Sequence, residues 1–119
     1  MAVDDPKLAR LYDYTKWHIG IYLIAAGSMV TIAGSDRISN LLGDVNRTSV
    51  IIAIGAMAVS GIAGGVIASS CASANDFYEV WTKRIGPWYL RVMPGWCWAL
   101  VEHTAFWTSL AALAIAILQ

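Results

Sequence analysis

Charge is scarce in this chain. Eight basic and eight acidic residues cancel to a formal net charge of zero and make up 13% of 119 residues, where an ordinary soluble domain carries about 25%. No Lys/Arg-rich run appears, so the sequence offers no field for a nucleic acid. Cysteine is nearly absent as well. Cys71 and Cys97 stand outside any CxxC or Cys/His spacing, which leaves structural zinc and iron–sulfur clusters without support. No GxSxG, HExxH, Walker or GxGxxG element occurs, and the few polar side chains do not assemble a nucleophile with its base. The chain is therefore read as non-catalytic. Internal repeats and low-complexity tracts are missing too.

What the chain has instead is apolar length. Residues 48–70, TSVIIAIGAMAVSGIAGGVIASS, contain no charge, no proline and no large polar group. As a helix this run is about 34 Å long, enough to cross a hydrocarbon core of about 30 Å. Two further runs, 17–34 and 96–118, are apolar except for a few polar groups, mostly near their beginnings. A soluble chain of this size lacks the mass to bury three such helices on all sides. The expectation is an all-α membrane protein: one transmembrane domain over 1–119 with three spans at about 17–34, 48–70 and 96–118, and a short interfacial amphipathic helix within 76–93.

Three spans put the N-terminus and the 71–95 connection on one side, with Lys7, Arg10, Lys16, Lys83, Arg84 and Arg91. The other side has Arg37 and Arg47. The positive-inside rule then places the N-terminus in the cytoplasm or a mitochondrial matrix and the C-terminus, Gln119, on the opposite surface without a further domain. A signal peptide fits poorly, because Asp4, Asp5 and Asp13 precede the first run and 18 apolar residues exceed an h-region of about 7–15. Asp5 as N-cap and Pro6 at the first helical position predict instead one helix over 6–34. Tyr12, Tyr14 and Trp17 fall at the depth of an aromatic belt, beside a snorkelling Lys16. Asn46-Arg47-Thr48 matches a glycosylation sequon too close to the membrane to carry weight.

The second span carries a packing signature. Ala56, Ser60, Gly64 and Ala68 recur every four residues, and Gly61 and Gly65 form a GxxxG pair on the adjacent track, continued by Ser69. Small residues let a second helix backbone approach closely. Two such rows imply more close neighbours than a three-helix protomer supplies, so partner subunits or further copies are expected.

The 71–95 connection is rich in aromatic residues. Asp76 caps a short helix to about Ile85 whose Phe77, Val80, Trp81 and Ile85 share a face, and Gly86-Pro87 breaks it. Trp17, Trp81, Trp88, Tyr89, Arg91 and Trp96 are the expected interface set, holding the protein at a fixed depth and touching phospholipid or a neighbour. Cys71 and Cys97 flank this connection in a compartment expected to be reducing, so free thiols are expected.

The ionisable groups within or beside the spans are His18, Glu102 and His103. Both histidines fall in the same half of the bilayer on helices pointing the same way, which makes them candidate ligands for a haem b, with Gly20 and Gly27 leaving room for a macrocycle. Glu102 and His103 diverge by about 100° on their helix, so one faces protein and the other headgroups. Glu102 is expected to pair with Lys16 or His18, or to serve a proton path. The function expected is a small accessory or anchor subunit of a larger, energy-transducing electron-transport complex, requiring no cofactor of its own and partnered by other membrane-protein subunits and bound lipids. The alternatives are a haem-b anchor of an oxidoreductase and a homo-oligomeric transporter.

Overall fold

A computed structural model describes residues 5–36 and 46–118 of the chain. Within them the protein is mostly helical: α1 (Pro6–Gly34), α2 (Arg47–Ser73), α3 (Phe77–Thr82) and α4 (Gly95–Leu118), with a two-residue hairpin of β1 (Arg84–Ile85) and β2 (Met93–Pro94) before α4. The 29-residue α1 keeps the bounds its sequence predicts. Asp5 caps it by accepting from the Lys7 N–H, and Pro6 occupies a position whose N–H has no helical partner. Asn46, the sequon asparagine, caps α2 by accepting from the Ser49 N–H. Arg37, expected on the side opposite the N-terminus, lies outside the described residues.

Neighbouring long helices run antiparallel, with α2 in the middle packed against both α1 and α4. The α2–α4 seam is fixed by a reciprocal pair of hydroxyl-to-carbonyl bonds. Ser60 Oγ on α2 donates to the Glu102 carbonyl at 2.6 Å, and Ser109 Oγ on α4 donates to the Ala53 carbonyl at 2.6 Å. Ala53 and Ser60 are two turns apart on α2, as are Glu102 and Ser109 on α4, so the two bonds set a single register. Small residues at these positions let the backbones come within reach of a serine hydroxyl.

Two apolar clusters fill the ends of the bundle. Leu8, Ile67, Cys71 and Val80 are buried where α1, α2 and α3 meet. Tyr22, Met29, Ala53 and Met57 are buried further along α1 and α2. Cys71 and Cys97 are free thiols.

Two helices, α2 and α4, are long and apolar enough to cross a membrane. The bundle is 53 Å long, so its ends extend past a hydrocarbon core of about 30 Å. In α4 only 17% of the most apolar window is buried in the protein, and Leu100, Trp107, Ile115 and Leu118 are exposed. The first expected span, 17–34, lies in α1, which is not one of these two; three spans are therefore not shown.

The predicted helix to Ile85 is shorter than expected. It ends at Thr82 because residues 84 and 85 pair with Pro94 and Met93. Ile85 gives its carbonyl to the Val92 N–H and to Trp98 Nε1, bonds that a continuing helix would forbid. Two glycines make this corner possible. A Cβ on Gly86 would strike the Leu90 carbonyl, and one on Gly95 would strike the Val80 carbonyl. Between the strands, Trp88 sits at φ 52° and is 88% exposed, an unfavourable left-handed conformation for a bulky side chain.

Candidate functional site

The ionisable groups gather on one seam, where α1 and α4 meet through side chains. On α1, Tyr14, His18 and Tyr22 are successive turns of one face; on α4, Glu102 and His103 oppose them. Glu102 is 1% exposed, and the Tyr22 hydroxyl, on a residue 2% exposed, donates to its Oε1 at 2.6 Å. Gly64 of α2 closes the other side: a Cβ there would stand 3.2 Å from Ile19 Cγ1 and 3.7 Å from the Glu102 carboxyl carbon. A buried carboxyl is thus enclosed by all three long helices. The expected partners Lys16 and His18 are replaced by Tyr22, which reaches Glu102 from one turn deeper on α1 than His18.

His103, adjacent in sequence, points out of the core. Its Nδ1 donates to the Ala99 carbonyl at 2.7 Å, and His18 Nδ1 donates to the Tyr14 carbonyl at 2.8 Å. A carbonyl only accepts, so Nδ1 carries a hydrogen in both rings. The Tyr14 hydroxyl and His103 Nε2 share a hydrogen bond at 3.2 Å, which the hydroxyl donates when Nε2 holds its lone pair. The Tyr14 ring also lies 4.0 Å from the His18 ring, and the two imidazole centroids are 6.2 Å apart. The seam therefore brings together the two histidines that the sequence offered as haem ligands. Gly20 and Gly27 do not adjoin them: they sit about 200° and 180° around α1 from His18, with nothing within reach of a Cβ. Groups of three or more His, Cys, Asp or Glu side chains able to hold a metal ion are absent among the described residues.

The small-residue rows separate in the structure. Ser60 and Gly64 are buried against α4 and α1, whereas Ala56 and Ala68 are half-buried. A row of period four drifts about 40° per step around a helix of 3.6 residues per turn, so it cannot stay on one seam. The row that does is Val50, Ala53, Met57, Ser60, Gly64, Ile67 and Cys71, all buried, which alternates steps of three and four. Gly61 and Gly65 are half-buried, and a Cβ on either would meet nothing within 4 Å.

The interface set spreads over one end and the flank of the bundle. Trp17 is 70% and Trp96 49% exposed, Arg91 is exposed, and Tyr89 falls in the turn Pro87–Tyr89 beside Trp88. Trp81 is half-buried and stacks on Phe77 at 5.3 Å. Sequence reasoning missed Tyr22 and Ser109 and singled out Ser60 only as a small packing residue, not as a donor; a hydroxyl facing a carboxyl 80 residues away has no local signal. At the base of α1, Asp5 accepts from the Phe77 N–H at 2.8 Å as well as from Lys7. These bonds, the one from Phe77 foremost, hold its carboxyl below the usual carboxylate range. No family model, curated protein or solved structure matches this chain.

Proposed function

We propose that this protein is a small non-catalytic integral membrane subunit, crossing the bilayer three times with its N-terminus on the cytoplasmic or matrix side, and that it docks into a larger energy-transducing assembly. The observation that carries the reading is the Gly61–Gly65 face of α2, which no helix among the described residues fills, although the neighbouring Ser60–Gly64 row is consumed by internal packing. A GxxxG face open to the bilayer lets a partner helix approach closely. The extensive apolar exposure of α4 supports a lipid or protein neighbour around the bundle in place of water. The energy-transducing host rests on association alone: such assemblies collect short multi-span subunits. Affinity purification from native membrane in mild detergent tests this reading. Co-purification with foreign subunits, lost when Gly61 and Gly65 become Ile, is expected; recovery of this chain by itself as a homo-oligomer would overturn it in favour of the transporter alternative.

One observation favours a second reading, a haem-b anchor. His18 and His103 share one seam, with ring centroids 6.2 Å apart. Their Nδ1–H bonds to backbone carbonyls are the kind of contact that orients a metal-ligating histidine. Ligation requires the Tyr14 hydroxyl to leave His103 Nε2. A b-type absorption spectrum that disappears in His18→Ala or His103→Ala supports this reading, and a colourless protein purified from its native membrane removes it.

A further inference from the structure

We infer that the groove between α1 and α3 is a binding site for the phosphate of an anionic phospholipid. The groove has a volume of about 420 Å³ and is lined by Lys7, Arg10, Leu11, Tyr14, Phe77 and Trp81. Its lining contains two cations and no acid. Two acids stand near the groove without lining it. Asp5 uses one carboxylate oxygen on the Lys7 N–H and the other on the Phe77 N–H, and it also feels the Lys7 charge. Asp13 is exposed. Among the described residues the ion pair joins Lys83 to Glu79, so neither Lys7 nor Arg10 is held in one.

Their neighbours give the site its shape. The Lys7 ammonium lies 5.8 Å from the Tyr78 ring centroid, a cation–π contact that holds it on the α3 side. The stacked rings of Phe77 and Trp81 form an apolar wall. Lys7, Arg10 and Tyr14 are successive turns of one α1 face, and the groove descends along them for about 10 Å, comparable to the headgroup zone of about 5–8 Å on each side of the hydrocarbon. The phosphate sits between Lys7 and Arg10, the guanidinium supplying two parallel N–H donors and the ammonium a point charge. Glycerol and the first acyl carbons cover the Phe77–Trp81 wall. A free phosphate ester shares the first of these contacts but not the second, so the occupant is the lipid. Tyr14 belongs to both this groove and the histidine seam, so an occupied groove bears directly on the group that holds His103.

This inference rests on the membrane reading above. The test is native mass spectrometry of the full chain released from phosphatidylcholine nanodiscs that contain a minority of phosphatidylglycerol. Retained lipid should be enriched in phosphatidylglycerol. Lys7→Gln and Arg10→Gln should each weaken retention about fivefold and the pair about 25-fold, the scale of one juxtamembrane cation each. Lys83→Gln and Arg84→Gln, cations at the same end but outside the groove, should leave it unchanged. Equal retention of both lipids, an equal loss with the Lys83 and Arg84 variants, or displacement by soluble glycerol 3-phosphate would overturn the site. A chain that alkaline carbonate strips from its native membrane would remove the membrane reading itself, an outcome distinct from these.

Discussion

Tyr22→Phe deletes one oxygen and leaves the Glu102 carboxyl, 1% exposed, without its 2.6 Å donor. The void is too small to matter, so the loss isolates the hydrogen bond. Bonds of this kind are worth about 0.6–2 kcal/mol between membrane helices and about 1–3 kcal/mol when a buried partner is left unsatisfied. With an unfolding entropy of about 2.1 cal/mol/K per residue, a loss of about 1.5 kcal/mol lowers the midpoint of a chain this size by about 6 °C. Glu102→Leu removes the acceptor of the Tyr22 hydroxyl, which keeps Ser60 beside it, whereas the double variant removes both members of the bond. Thermal unfolding in detergent, followed by the fluorescence of the six tryptophans, should give a double variant less destabilised than the two singles combined, by about 1–2 kcal/mol. Additivity of the singles within about 0.5 kcal/mol would refute the assignment of Tyr22 as the carboxyl's partner.

Five further substitutions probe the packing. Gly64→Ile forces side-chain atoms into Ile19 and Glu102 and should cost the isolated protein about 1–3 kcal/mol, while Gly61→Ile and Gly65→Ile, with open space at each Cβ, should leave its unfolding midpoint in place; thermal scans of the three variants side by side check this. Asp5→Asn weakens the joint between α1 and α3. Because the folded carboxyl lies below its ordinary value of 3.8, its contribution is complete above that pH and disappears as pH falls through the lower folded value; the midpoints of wild type and Asp5→Asn should differ at neutral pH and converge below about pH 3.8. Gly95→Ala drives a methyl into the Val80 carbonyl, so α3 should separate from the start of α4, read as faster amide exchange in α3.

Much of the helical framework was legible. An N-cap aspartate followed by proline, and an apolar run that continues to Gly34-Ser35, are local signals, and α1 follows them to the residue. The end of α3 was not legible, because Ile85 exchanges a helical bond for partners at Val92 and Trp98 that lie beyond the turn. The candidate site was half legible. Two lone histidines and one glutamate in apolar helices marked the ionisable groups, and a 100° separation foretold that Glu102 and His103 would face differently. Their partners depended on rotation and register between helices, which no single helix encodes.

The chain's own chemistry thus determined its elements: charge scarcity, apolar length and capping residues fix where helices begin, where they run and which solvent suits them, since these follow from neighbours in sequence. Only the tertiary arrangement decided that Glu102 is enclosed by Tyr22 and Gly64, that His18 and His103 share a seam with Tyr14 beside them, and that the Gly61–Gly65 row remains open while Ser60 and Gly64 are spent. Those outcomes follow from the azimuth at which three helices meet: adjacent helical positions diverge by about 100°, enough to turn Gly64 inward and leave Gly65 facing out.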